Sequence, residues 1–329
     1  MEDNYFYNTY GRQSFPKYKR AIFFAFGTLI FLALYGFTIR PPLDFPKKTY
    51  FSVKEGWSLG EIAEELEKKN IIQSAFWLKV ITKVFGGEKG IIAGNYYFKD
   101  SRNLFGIAYA LSRGEYSLPS EKITIPEGMT IDEMAEIFED NLAFFDKKTF
   151  LKLTKDKEGY LFPDTYFFLS DAKTADIVKV MEDNFRQKIA GLDKEIQSFG
   201  KPLKDVIIMA SILEEEARTT ETRRVISGIL WKRLSVGIPL QVDAPFQYFM
   251  GKNTFDLTMD DLAFDSPYNT YLYKGLPEGP ISNPGLDSIR SAVTPVKTSY
   301  YFYLSDKDGE MHYAKTFDEH VVNKQKYLP

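Results

Sequence analysis

Residues 21–39 read AIFFAFGTLIFLALYGFTI, a stretch without one charged side chain. Nothing else in the chain constrains its fold as strongly, because such a surface has to be covered by protein or by lipid. As a helix rising ~1.5 Å per residue, its roughly 19 residues approach the ~30 Å hydrocarbon core of a bilayer. Arg12, Lys17, Lys19 and Arg20 precede it, and Arg40 with Pro41 and Pro42 closes it. A cleaved signal peptide would carry a shorter apolar run and a small-x-small site at its end. The close basic flank also argues against a buried helix of a soluble protein. The segment is read as an uncleaved single-pass signal anchor behind a cytoplasmic tail, residues 1–20. Lys47 and Lys48 dilute the charge contrast. The body from about Asp44 is then expected outside the cytoplasmic membrane.

That body is long enough for about two domains in a chain of 329 residues. The formal charge of −3 lacks the basic excess that phosphate backbones demand, so nucleic acid is excluded as the expected partner. There is no cysteine, which removes thiol nucleophiles, disulfides and thiolate metal sites. His312 and His320 are the only histidines, too few for a convincing histidine metal site or Ser-His-Asp triad. Neither a metal nor an organic cofactor is expected.

Two segments repeat. Phe51 to Leu66 reads FSVKEGWSLGEIAEEL and Ile123 to Phe138 reads ITIPEGMTIDEMAEIF. Each runs an alternating strand, Glu-Gly, then a helix start in which Ser58 precedes Glu61, or Thr130 precedes Glu133, by three residues. That spacing is a capping box: the hydroxyl takes an orphan amide while the glutamate reaches back. Ile62, Ala63 and Leu66 recur as Met134, Ala135 and Phe138, the apolar stripe of a packed helix. A strand–helix unit of this size resembles the LysM fold, although a plain structural spacer fits equally well. Residues 44–158 are expected to form this module region and 159–329 a second domain.

In the second part, Gly159 to Phe168 reads as an ordered loop or edge segment broken by Pro163. Helices are expected over 177–189, 205–217 and 225–234. Tyr300 to Leu304 and Glu310 to Ala314 flank an Asp308-Gly309 hairpin cue, and Thr316 with Glu319 caps a last helix. This mixture, with no βαβ alternation, predicts the α+β class.

The chemistry centres on VIIMASILEEEA, Val206 to Ala217. Apolar residues surround almost the whole helix, so it should be buried. At ~100° per residue, Glu215 points away from the central stripe while Glu214 and Glu216 fall on opposite shoulders. A shoulder carboxyl among apolar neighbours loses hydration and its pKa rises, the condition a general acid needs near neutral pH. The competing reading is a solvated helix end paired with Arg218, Arg223 or Arg224, which charge runs usually are. Downstream, GIPLQVDAPFQY places Gln241 and Asp243 on one side of an extended segment. SPYNTY and GLPEGPISNPG are loops ordered by turn chemistry, where binding residues concentrate.

In order, the anchor, IPEGMT, YLFPDTY, ASILEEE, GIPLQVDAPFQY, SPYNTY, GLPEGPISNPG and MHYAKTFDEH resemble the MltG (YceG-like) family of membrane-anchored endolytic murein transglycosylases. The resemblance spans nearly the whole chain from Ala21. It implies a LysM-like subdomain, a catalytic domain that cuts peptidoglycan glycan strands internally, and association with peptidoglycan synthases. It places the catalytic glutamate at Glu216, with Glu214 in support. Where the family usually has Ser-Asp-Pro-Thr after Leu-Gln, this chain has Val242-Asp243-Ala244-Pro245, so Gln241 and Asp243 carry over in an altered setting. Tyr268, Asn269 and Asn283 match loop positions expected to bind substrate or support the site. Two rivals stand beside this reading: a hydrolytic muramidase, and a non-catalytic wall-binding scaffold for synthases.

Overall fold

The charge-free segment is helical, as its length demands. In the computed structural model, which describes residues 17–86 and 90–328, α1 (Lys17–Leu34) continues into a π-helical turn, Tyr35–Ile39. Arg12 and the rest of the expected tail before residue 17 lie outside the described residues. Phe23, Phe24, Leu29 and Phe31 are all exposed, so protein does not cover this surface. The helix is long and apolar enough to cross a membrane.

The chain divides into two units, Met1–Pro119 and Ser120–Pro329. In the first, α1 is followed by β1 (Thr49–Val53), α2 (Leu59–Lys68), α3 (Ala75–Gly86), β2 (Gly94–Phe98) and α4 (Leu104–Arg113). β1 pairs antiparallel with β2, Phe51 opposite Tyr96. The alternation of the strands turns Phe51, Val53, Tyr96 and Phe98 into a core with Ile62, Leu66, Leu78, Ile107 and Leu111.

The second unit opens on the same order: β3 (Ser120–Thr124), α5 (Ile131–Asn141), α6 (Lys147–Thr154), β4 (Thr165–Leu169) and α7 (Thr174–Ala190). Both expected capping boxes form, Ser58 with Glu61 and Thr130 with Glu133. The division of the chain falls at 119/120, whereas the sequence repeat suggested 158/159. The reason is strand pairing: β3 needs β4, with Ile123 opposite Tyr166, and that pair straddles the expected boundary. Residues 120–158 therefore belong with the C-terminal part of the chain.

The rest of this unit comprises α8 (Asp193–Phe199), α9 (Leu203–Glu216), α10 (Thr220–Ser235), α11 (Ala244–Met250), α12 (Met259–Leu262), α13 (Leu286–Val293), the antiparallel hairpin β5 (Phe302–Ser305) and β6 (Met311–Ala314), and α14 (Phe317–Tyr327). The architecture is mixed α+β. Every residue of α9 from Val206 to Leu213 is buried, and the helix packs on α10, α11 and α13. Close approach is enforced at Gly228 in α10, where a methyl group would stand 2.0 Å from the Val296 carbonyl oxygen. One local expectation fails. The segment holding Gln241 and Asp243 is not extended throughout: Gln241 is left-handed at φ 50°, Asp243 is already helical, and α11 begins at Ala244. Pro245 near the helix start, where an N–H is dispensable, favours that early turn.

Candidate active site

Three consecutive glutamates leave α9 in three directions. Glu214 turns back onto the protein. Its side chain, 7% exposed, accepts from Arg223 Nη2 at 2.6 Å and from the Gly285 N–H at 2.7 Å. Arg223 also reaches Asp287 at 2.8 Å, so the pair ties α9, α10 and the start of α13 together. Glu214 is thus a strut. Glu215 remains exposed as a residue, yet its carboxyl lies against the turn at Gly128. Crowding by protein atoms, and then the Glu214 charge, pushes it up to about 7.

Glu216 takes the third direction. Its carboxyl is pushed up to about 7, chiefly by burial and further by the Asp243 and Glu215 charges. The Tyr303 hydroxyl, donating to Oε2 at 2.9 Å, and the Ala244 backbone N–H hold it partway back. A carboxyl in this state is divided between acid and base near neutral pH, so one group can give a proton and then recover one.

Asp243 comes close enough to Glu216 for its charge to act on it, and Gln241 lies two residues before Asp243. Asp243 stands at the start of α11 and accepts from the Tyr271 hydroxyl at 2.5 Å. Gln241 is exposed, and its side-chain oxygen takes a hydrogen bond from Arg233. Arg233 is buried in α10, where its guanidinium also donates to the carbonyls of Pro239 (2.9 Å) and Tyr301 (3.3 Å). The left-handed backbone at Gln241 is fixed by its own N–H donating to Thr270 O at 3.0 Å, beside a reciprocal Thr270–Val242 pair.

The loop residues are engaged within the protein itself. Asn269 is 1% exposed; its amide donates to Leu262 O and Phe264 O and accepts from the N–H groups of Tyr271 and Leu272. It shapes the SPYNTY turn. Asn283, 0% exposed, accepts from Leu161 N and donates to Met129 O and Glu158 Oε1. It knots the IPEGMT, GYLFP and ISNPG segments into one. Tyr268 is half-buried, its ring tilted against that of Tyr248 with centres 5.1 Å apart. Neither asparagine has an amide atom left over for a ligand.

Several functional neighbours were not anticipated. Tyr303 comes from a distant segment with no sequence signal linking it to Glu216, while Tyr271 closes the SPYNTY loop without any sign that it pairs with Asp243. Arg233 did carry one: with Ile226, Ile229 and Leu230 it occupies a buried stripe at helical spacing. Glu158, lodged between Asn283 and the start of α5, is pushed up to about 7 mainly by burial. Among the described residues, no group of three acidic or histidine side chains is arranged to hold a metal.

Comparison with known proteins places this arrangement in a family. The model of the YceG-like family matches residues 51–326. An endolytic murein transglycosylase of Bacillus subtilis (strain 168) is 31% identical over 324 aligned residues, covering 90% of this chain and 89% of that protein. One from Streptococcus pneumoniae serotype 2 is 27% identical, covering 87% of this chain but 60% of the longer relative. The crystal structure of a YceG-like protein from Listeria monocytogenes superposes with a TM-score of 0.58 at 29% identity, covering 84% of this chain and 99% of that one. The chain belongs to the YceG-like family.

Proposed function

We propose that this chain is a membrane-anchored endolytic transglycosylase of peptidoglycan. It would cut the β-1,4 bond between N-acetylmuramic acid and N-acetylglucosamine inside nascent glycan strands. The observation that carries the reading is the Glu216 carboxyl, raised to about 7 and oriented by Tyr303 at the end of a buried helix. The transglycosylase names of the relatives that cover most of this chain support it.

In the proposed reaction, protonated Glu216 gives its proton to the glycosidic oxygen as the bond from muramic C1 breaks. The muramic C6 hydroxyl oxygen bonds to C1, closing a 1,6-anhydro ring, and its proton returns to Glu216. The nucleophile is tethered to its electrophile, so a single carboxyl serves as acid and then base. A second carboxylate at glycosidase spacing is not needed. Gln241, exposed beside Arg233, is proposed to contact sugar; Asp243 and Glu214 are proposed to support the site. The first unit is proposed as LysM-like, an assignment supported by its β1-α2-α3-β2 order and antiparallel strand pair. With α1 as a single-pass anchor and the catalytic unit extracytoplasmic, cleavage would be confined to glycan near the membrane, where synthases work and where it would end strand elongation.

Product masses test this. Purified full-length protein acting on uncrosslinked glycan should yield anhydromuramic ends about 18 Da lighter than reducing ends, because water is not added. Reducing ends alone would make the enzyme a hydrolytic muramidase. Binding without any cleavage would make it a scaffold.

A further inference from the structure

The outer face of α3 does not fit a protein that meets only water. Leu78, Ile81 and Thr82 face the core of the first unit, as does Ala75. Phe76 (62% exposed), Trp77, Val80 and Val84 (78% exposed) face outward. At ~100° per residue those four share a single arc of about 100° on the helix. Phe76 and Trp77 pack edge to face with ring centres 5.4 Å apart, forming one aromatic projection. Lys79 and Lys83 flank the arc on one side.

Its position says what covers it. Gln73, two residues before α3, donates its side-chain amide to the carbonyls of Arg40 (3.2 Å) and Pro41 (3.3 Å). These are the first residues after the apolar anchor segment. Phe45 is already part of the core of the first unit, so only a few residues separate that core from the end of the helix at Ile39. At ~3.3–3.6 Å per residue, that linker cannot carry the unit more than about 20 Å from the anchor, and the Gln73 contacts hold it closer. Leu43, within the linker, is itself exposed. Trp and Phe with flanking lysines are the side chains that settle at a membrane–water boundary, where the ring is buried and the ammonium reaches the headgroups.

We propose that the α3 face, Phe76-Trp77-Val80-Val84, docks into the interfacial layer of the bilayer that holds the anchor. The first unit then lies on the membrane rather than swinging from it. The inference rests on reading α1 as a membrane anchor, and its test separates the two. Because the chain contains no cysteine, single labels can be placed cleanly. Full-length protein in liposomes of phosphatidylethanolamine and phosphatidylglycerol is spin-labelled at Phe76→Cys, Val84→Cys, Glu64→Cys on the exposed side of α2, or Leu29→Cys within the anchor. Circular dichroism checks that each variant is folded. Labels at 76 and 84 should show an oxygen-to-nickel-chelate collision ratio between that of Leu29 in the bilayer interior and that of Glu64, which should favour the water-soluble chelate. Aqueous behaviour at 76 and 84 with Leu29 in lipid would overturn the docking alone, and would leave the face to a protein partner. Aqueous behaviour at Leu29 as well would overturn the anchor itself.

Discussion

Glu216 is held in two opposing ways: burial and neighbouring acids favour its neutral form, while Tyr303 and a backbone N–H favour the charged one. The group is raised from an ordinary 4.5 to about 7, which gives pH signatures of fixed sign. If its acid form starts the reaction, kcat/KM should be level below about pH 6, fall to roughly half near pH 7 and drop above it by up to tenfold per unit. Tyr303→Phe removes a hydrogen bond that favours the carboxylate, so that alkaline limb should move to higher pH; a limb that stays put would place Tyr303 outside the proton's control. Stability gives an independent reading. Below about 4.5 the folded and unfolded chains both hold the proton, and there is no penalty. As pH rises towards 7 the unfolded state ionises first, so stability falls, and above 7 the loss is complete. Glu216→Gln should therefore stabilise the protein at pH 8 by roughly 1–3 kcal/mol and far less at pH 4.5, in paired urea titrations. An equal effect at both pH values would mean that burial does not burden this carboxyl.

At the scale of elements, the site depends on struts that hold α9 against its loops. Arg223→Ala strands Glu214, whose side chain is only 7% exposed, and should cost roughly 3–5 kcal/mol in urea unfolding. A loss below about 1 kcal/mol would show the ion pair to be solvated after all. Asn283→Ala leaves the buried Leu161 N–H without its acceptor and should cost roughly 2–4 kcal/mol. The elements were unevenly legible. Capping boxes, the α9 stripe and the C-terminal hairpin announce themselves in a few adjacent residues, and each formed near its expected bounds. The α11 turn was not legible, because Gln241 adopts a left-handed conformation that only contacts with Thr270, far along the chain, make worthwhile. For Asn269 and Asn283 a sequence shows amide chemistry but not which carbonyls will consume it.

Across the whole molecule, the fold class and the glutamate run could be read from pattern, while the partition between the units could not. Internal repetition suggested that both copies of the strand–helix motif belong together. Strand pairing decided otherwise, because β3 completes its sheet with β4 inside the second unit. The same limit hid the site's tyrosines: Tyr303 reaches Glu216 only after the C-terminal hairpin folds back across 87 positions of sequence. The central claim is that one carboxyl, at position 216, carries the reacting proton near neutral pH. Its direct test is the Glu216 carboxyl signal itself, obtained as the infrared difference between wild type and Glu216→Gln across pH 4 to 9. The account predicts a protonated-carboxyl band that titrates near 7, in step with the alkaline loss of activity. A midpoint in the ordinary glutamate range, or undiminished cleavage by Glu216→Gln, would contradict it.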